Sequence, residues 1–446
     1  MNFAKLLFFV FLLSALSVAK AAESLMDIAM DLNIEPETGM EFVELINGEG
    51  GICSDWIADK GWDEGDNKKK DGGFFFVQVG SGIIAAPPGH KNYINSRQNA
   101  FSKAMLTAKG NIISSIAQTV ESELMLSVKQ GSFTEDESIK KNKLMSSFNK
   151  AVDLLNAELD EHLKEKGLIN ATEAEKESLA KQKLIGILNS EKFRQITQTS
   201  AAQSLRGVRR IFVNESIMKG EQGEICVVAL YSTKTMQLAD AIVSGDFSLA
   251  PKGKKGKKLK DQIPNKKTQD GLRQLLTTYG VEMLRDEKGE FNLVSYAQAG
   301  PQTKSKTSLK IAYDQSKIKA SAQLASFANE NASLKERQES SEASNEYGND
   351  VIDYSSVAAY EKDLQSITDP IVLEGLKRFG KWAAKHPATG QIVTGSIMVW
   401  SASSAKAAQK SQTTLISDSA SDESQTFDQA DSFSGSSAGG SSEDDF

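Results

Sequence analysis

The chain has 446 residues, with 52 Lys and Arg against 59 Asp and Glu and a formal net charge of −7 at pH 7. That acidic balance argues against a general nucleic-acid binder, whose phosphate contacts need excess cationic charge. Three histidines and two cysteines leave few candidates for zinc ligation or for histidine-dependent hydrolysis, and the length suggests roughly two to three domains.

Residues 1–21 read as a secretory signal. Lys5 gives a positive start, Leu6 to Val18 an apolar core, and Ala19-Lys20-Ala21 a small-residue cleavage site. Cleavage after Ala21 would place the product in the periplasm or outside the cell. Loss of Lys5 and Lys20 takes the formal charge from −7 to −9. No later stretch reaches the roughly 18 apolar residues of a spanning helix, so none is expected.

Residues 22–73 form an entry segment that packs on the first domain: a helix over Leu25–Leu32, then a Gly- and acid-rich stretch with Trp56 and Trp62. The two tryptophans are candidate interaction residues, although plugging a core edge is the favoured role. Asp63, Glu64, Asp66 and Asn67 lack the bidentate glutamate spacing of a calcium loop and read as solvated.

The first α+β domain spans 74–250. Its first strand is read as ending in the turn Gly80-Ser81-Gly82, before a helix whose stripe of Ala100, Ala104 and Ala108 suits close packing on a sheet. The turn resembles a dinucleotide loop, but the third glycine is missing and Pro87-Pro88 intervene. The insert 132–204 carries Leu144, Phe148, Leu155, Leu159 and Leu163, then Leu179, Leu184, Ile187 and Leu188, at helical spacing around a break at Gly167. It reads as a coiled-coil-like helical hairpin folded back on its own domain. A strand follows Leu205–Arg210, a second covers Gly223–Tyr231, and Ser232 caps a helix.

Residues 251–280 form a Lys-rich linker and a short helix. Lys254, Lys255, Lys257 and Lys258 are candidate contacts for an anionic partner within what reads as a mobile loop. The loop has no aromatic residues for bases to stack on and no phosphate-loop order. The second domain spans 281–412, opening with a hairpin across Asp286-Glu287-Lys288-Gly289. Residues 413–446, rich in Ser, Gly and Asp with no Lys or Arg after Lys410, read as a disordered acidic tail able to fold onto the Lys-rich loop.

The second domain repeats the first. Leu205-Arg206-Gly207-Val208-Arg209-Arg210 returns as Leu373-Glu374-Gly375-Leu376-Lys377-Arg378, and Ser232 returns as Ser401. A gapless alignment of the strand–helix pairs places Gly82 on Gly300, Ala104 on Ala322 and Leu106 on Leu324. The fold class is therefore α+β: two tandem strand-helix-strand-strand-helix domains with a helical-hairpin insert in the first, each with helices on one face of a small sheet.

No residues are nominated as catalytic, cofactor-binding or metal-binding. His90 follows a Pro-Pro-Gly loop, His162 sits on a solvated helix side and His386 precedes Pro387; Gly435-Ser436-Ser437-Ala438-Gly439 lies in the tail, without the strand and helix a nucleophile elbow needs. Cys53 and Cys226 could pair across a very long loop, but a buried thiol at Cys226, within an apolar strand, is favoured.

The Trp56–Gly82 region, Asp286-Glu287-Lys288-Gly289 and Val228-Ala229-Leu230-Tyr231-Ser232 together resemble an exported bacterial family known as a domain of unknown function. More distantly, the strand, small-residue turn and Ala-rich helix are similar to envelope lipoprotein and flagellar-assembly α+β domains, although a lipid-anchor cysteine is missing and the long insert departs from them. The resemblance implies envelope assembly and transfers no active residue. The expected function is a non-catalytic envelope or secreted protein that binds an envelope or secreted partner or itself. The competing expectation is a ligand-binding protein or enzyme with a site between the domains, near Trp56, Trp62, Trp382 or Trp400.

Overall fold

A computed structural model describes residues 51–68, 74–130, 157, 173–216, 223–328 and 373–410. The signal segment, the helix at 25–32, the first helix of the insert with His162, the polar stretch at 335–370 and the acidic tail lie outside the described residues. No described helix is long and apolar enough to cross a membrane.

Two four-stranded antiparallel sheets are built to one plan. The first contains β1 (Gly65–Lys68), β2 (Phe74–Ile84), β3 (Arg209–Ser216) and β4 (Gly223–Ser232), in the order β1-β2-β4-β3. The second contains β5 (Gly280–Arg285), β6 (Phe291–Ala299), β7 (Lys377–Lys385) and β8 (Ile392–Ser401), in the order β5-β6-β8-β7.

The correspondence extends to irregularities. The pairing of β3 with β4 shifts register between Arg210 and Phe212, and that of β7 with β8 between Arg378 and Gly380. Gly207 and Gly375 both have left-handed φ, 81° and 76°. At each, a Cβ would strike the first turn of the helix after the long strand, at Thr235 or at Ser404 and Ala405. Ser232 and Ser401 cap those helices, accepting from the backbone N–H groups of Thr235 and Ser404. This repeated detail shows that the two units share one plan, as the repeat in sequence suggested.

The helices are α1 (Ile52–Asp59), α2 (Tyr93–Gln130), α3 (Glu173–Leu188), α4 (Glu191–Ser204), α5 (Thr233–Ser244), α6 (Leu259–Gln262), α7 (Gln269–Leu276), α8 (Lys306–Ala328) and α9 (402–410). Helices α3 and α4 fold back on α2, with Thr197 of α4 buried and hydrogen-bonded to Glu121 of α2. Ser190 caps α4 by accepting from Phe193 N–H.

Four expectations change. Gly80-Ser81-Gly82 is strand, because β2 continues to Ile84. A Cβ at Gly80 or Gly82 would collide with the backbone oxygen of Ala104 or Ala100, so these glycines admit α2 rather than turn the chain. The gapless repeat alignment is one residue out in the strands, where the registers put Gly82 on Ala299 rather than Gly300, and fails further in the helices. The side-chain bridge from second strand to helix spans 37 residues in the first copy (Gln78 to Ser115) and 28 in the second (Ser295 to Gln323). Leu106 is accordingly only partly buried whereas Leu324 is fully buried.

Both faces of each sheet are covered, not one. In the first, Phe76, Gly80 and Ile84 face α2, while Phe75 and Val77 face α1 with Trp56 and the following Trp62. Strand β1 hides in the acid-rich stretch read as solvated loop. Its residues Gly-Asp-Asn-Lys have little strand propensity, and pairing with Phe74–Val77 supplies the order. Asn67 ties that turn together, accepting from Asp63 N–H and donating to Asp63 O.

Candidate functional site

The first half of α2 serves both copies. Tyr93, Ile94, Ala100, Phe101 and Ala104 pack between Ile84, Ile225 and Val227 of the first sheet and Leu272, Leu275, Tyr296 and Trp382 of the second unit. Gly300 and Gly280 permit this approach: a Cβ on either would press into Ile94 or the Phe101 ring. Phe101 stacks on Tyr279 with ring centroids 5.3 Å apart. The seam in which the competing expectation placed a cleft is a hydrophobic core.

An ionic cluster is set into that core. Arg97 donates to both oxygens of Glu215 on β3, each at 2.6 Å, and to Leu276 O at 2.9 Å. The Tyr279 hydroxyl donates to Glu215 Oε2 at 3.2 Å, and Gln298 Oε1 accepts from Arg97 at 3.3 Å. Gln298 Nε2 in turn donates to Leu275 O and Leu276 O, and its backbone N–H to Gln98 Oε1. Burial is the largest single influence on the Arg97 pKa and lowers it, but the charge and hydrogen bonds of Glu215 together with Tyr279 and Tyr93 outweigh it, and the net shift is upward. Burial above all pushes the Tyr279 phenol well up. The arrangement is a bidentate pair whose remaining hydrogen bonds go to protein groups, which fixes one copy against the other. Arg210 repeats the theme at the β3–β5 boundary, 3.5 Å from Glu282 and over the Tyr296 ring.

His386 also borders the seam, its ring edge-on to Tyr93 at 5.3 Å and its Nδ1 3.2 Å from Thr389 Oγ1. Burial, then the Arg97 charge, lowers its pKa to about 2, which keeps it neutral. Lys109 lies further along α2, where burial lowers its pKa to about 7 and its ammonium reaches Ser326 of α8 at 3.1 Å. Sequence reading missed Arg97, Glu215 and Gln298. The available signal was a cation at Arg97 inside the apolar stripe formed by Tyr93, Ile94, Ala100 and Phe101.

Trp56 and Trp62 adopt the plugging role. Trp56 stacks on Phe212 at 4.9 Å and meets Trp62 edge-on at 6.0 Å, while Trp62 meets Phe75 at 5.3 Å. Both remain partly exposed. Trp382 is buried in the seam and Trp400 in the core beneath α8, so the four tryptophans do not converge.

Cys53 and Cys226 are bonded, which corrects the preference for a buried thiol. Helix α1 lies on the outer face of the first sheet and brings the two Cα atoms to 6.3 Å across 173 residues of sequence. Closing so long a loop is worth about 5 kcal/mol in the chain-entropy description.

The Lys-rich segment is a strap anchored on the β5–β6 turn, not a free loop. Gly253 N–H donates to Gly289 O, Gly256 N–H to Asp286 O, and Gln262 Nε2 to Lys257 O and Arg285 O; Lys252 bridges Glu290. Every third residue turns inward. Gly253, Gly256 and Leu259 are partly buried, while Lys252, Lys254, Lys255, Lys257, Lys258 and Lys260 are exposed. A Cβ at Gly256 would strike the Arg285 backbone oxygen, and one at Gly253 would press on the Arg285 side chain and Phe291. The lysines therefore project in pairs, Lys254 with Lys255 and Lys257 with Lys258, from a ribbon that is extended at Lys258 (φ −55°, ψ 136°) and enters α6 at Leu259.

Comparison with known proteins gives little beyond this. The profile of a domain of unknown function (DUF6844) matches residues 144–244, which include α3 to α5 with β3 and β4. Of the stretches that carried the resemblance, only Val228–Ser232 falls within it. No curated protein matches. A crystal structure of a hypothetical protein from Francisella tularensis shares 20% identity and a TM-score of 0.44, covering 86% of this chain and 98% of that one.

Proposed function

We propose that the protein is a non-catalytic interaction protein of the cell envelope or its surroundings, binding an anionic partner through the lysine ribbon. The observation that carries this reading is the filled seam. Where the competing reading placed a ligand cleft between the copies, Arg97, Glu215, Tyr279 and Gln298 bond to one another within packed apolar side chains. The exposed lysines of the strap are instead held in a fixed geometry on the β5–β6 turn.

Export rests on the signal-like segment at 1–21 and is compatible with the Cys53–Cys226 bond, since disulfides persist in oxidising compartments. The envelope-assembly likeness adds a class of partner: another envelope protein, or a second copy of this chain.

The test is affinity capture from envelope extract at low and high salt, with mass spectrometry of what is retained. A stoichiometric protein lost at high salt, and lost when Lys254, Lys255, Lys257 and Lys258 are changed to Gln, supports the proposal. A co-purifying small molecule with no retained protein would overturn it in favour of a ligand site.

A further inference from the structure

The ribbon is built to receive an extended chain of negative charges. Six lysines occupy nine consecutive positions, 252–260, and all six are exposed. The backbone beneath them is tied to Asp286 and Gly289, so little ordering remains to oppose binding. The nearest acids are largely engaged. Asp286 Oδ1 accepts from the backbone N–H groups of Lys288 and Glu290, and Glu290 Oε1 accepts from Ser403 N–H. Glu287 and Asp261 flank the strip and offset part of its charge.

The chain carries a complementary segment of its own. After Lys410 there is no Lys or Arg, while Asp418, Asp422, Glu423, Asp428, Asp431, Glu443, Asp444 and Asp445 follow. The route to that segment starts at the ribbon, because α9 is anchored by Ser403 to Glu290, the residue that bridges Lys252. Helix α9 carries the chain about 14 Å away. The eight residues from Lys410 to Asp418 span up to about 26 Å when extended, enough for the first carboxylate to return.

We propose that the ribbon is the docking strip for the chain's own acidic segment, residues 418–445, which occupies it until an anionic partner displaces it. This rests on reading the ribbon as an interaction surface and adds its regulation. Individually, surface ion pairs are weak. Tethering changes the balance, since a segment joined to its docking strip by so short a stretch of chain has an effective concentration in the millimolar range. Physiological salt screens distant charges but not those in contact.

Zero-length carbodiimide coupling of the full chain, followed by peptide mass spectrometry, reads the contact directly. Links between Lys254–Lys260 and Asp418–Asp445 within one molecule are expected, with loss at high salt. The full chain with Lys254, Lys255, Lys257 and Lys258 changed to Gln should lose them while keeping its unfolding transition, because these side chains are exposed. Absence of links in the unaltered chain, or links only between differently isotope-labelled copies, overturns docking in cis.

A second measurement uses polyglutamate as the probe. Changing the eight acids to Asn or Gln in the full chain should raise polyglutamate affinity about tenfold, as expected when a tethered competitor is removed. Equal affinity with and without the acids sinks the autoinhibitory contact yet leaves the ribbon an interaction surface. If neither chain binds polyglutamate, the ribbon reading and this proposal fail together.

Discussion

Arg97 on α2 and Glu215 on β3 meet through two 2.6 Å hydrogen bonds, with side chains 1% and 3% exposed. Removing one partner leaves the other charge buried and unpaired. Arg97→Ala is expected to cost about 3–5 kcal/mol in urea-induced unfolding. Replacing both partners by apolar residues of similar volume, Arg97→Met with Glu215→Leu, should cost clearly less. Equal losses would mean that the pair itself, rather than the stranded charge, carries the stability.

The disulfide holds α1 over Phe75, Val77 and Val228. Cys53→Ser with Cys226→Ser is expected to lower stability by about 2–5 kcal/mol. Trp56 and Trp62 should lose their ordered stacking, read as loss of near-ultraviolet circular dichroism, and trypsin should cut sooner after Lys60. An unchanged aromatic spectrum would show that packing alone seats the helix.

Lys109 supplies a pH test. Its folded pKa is about 7 against an ordinary 10.5, so between those values the unfolded chain holds more protons. Its contribution to stability therefore rises with pH across that window and is lost as pH falls toward 7. Lys109→Met should be stabilising relative to the parent near pH 7, with the difference shrinking toward pH 10. A pH-independent difference would contradict the burial-driven shift.

Gly207 and Gly375 test the duplication energetically. Both are left-handed and both face the first turn of a serine-capped helix. Gly207→Ala and Gly375→Ala are each expected to destabilise by at least about 1–3 kcal/mol, the usual cost of a strained backbone. Ala at Gly390, also left-handed but with open space around it, should cost less. Similar losses at all three would assign the effect to φ alone.

The repeat was legible because its markers are local: Gly207 with Gly375, and Ser232 with Ser401, sit at matching places in matching strings. The hairpin across Asp286–Gly289 was legible for the same reason, since turn residues separate two apolar runs. What escaped depends on partners outside the local string, some close in sequence and some far. Strand β1 has no propensity of its own and exists because β2 pairs with it. Gly80 and Gly82 look like a turn until α2 is laid on them. Arg97 and Glu215 stand 118 residues apart, and neither neighbourhood announces the other. The lysine string was read correctly as exposed, but its period of three was visible only once Gly253, Gly256 and Leu259 were seen to face inward.

The functional account turns on the seam between the copies being closed, and hydrogen exchange at its amides tests that most directly. The N–H groups of Gln298 and Gly300 donate to Gln98 and Asn95 of α2 across the seam. They should exchange as slowly as the central strands β4 and β8, opening only with global unfolding. Fast exchange at these two amides while β4 and β8 stay protected would show that the copies part in the native state. The seam would then be a cleft, and a ligand-binding protein would replace the interaction protein proposed for this chain.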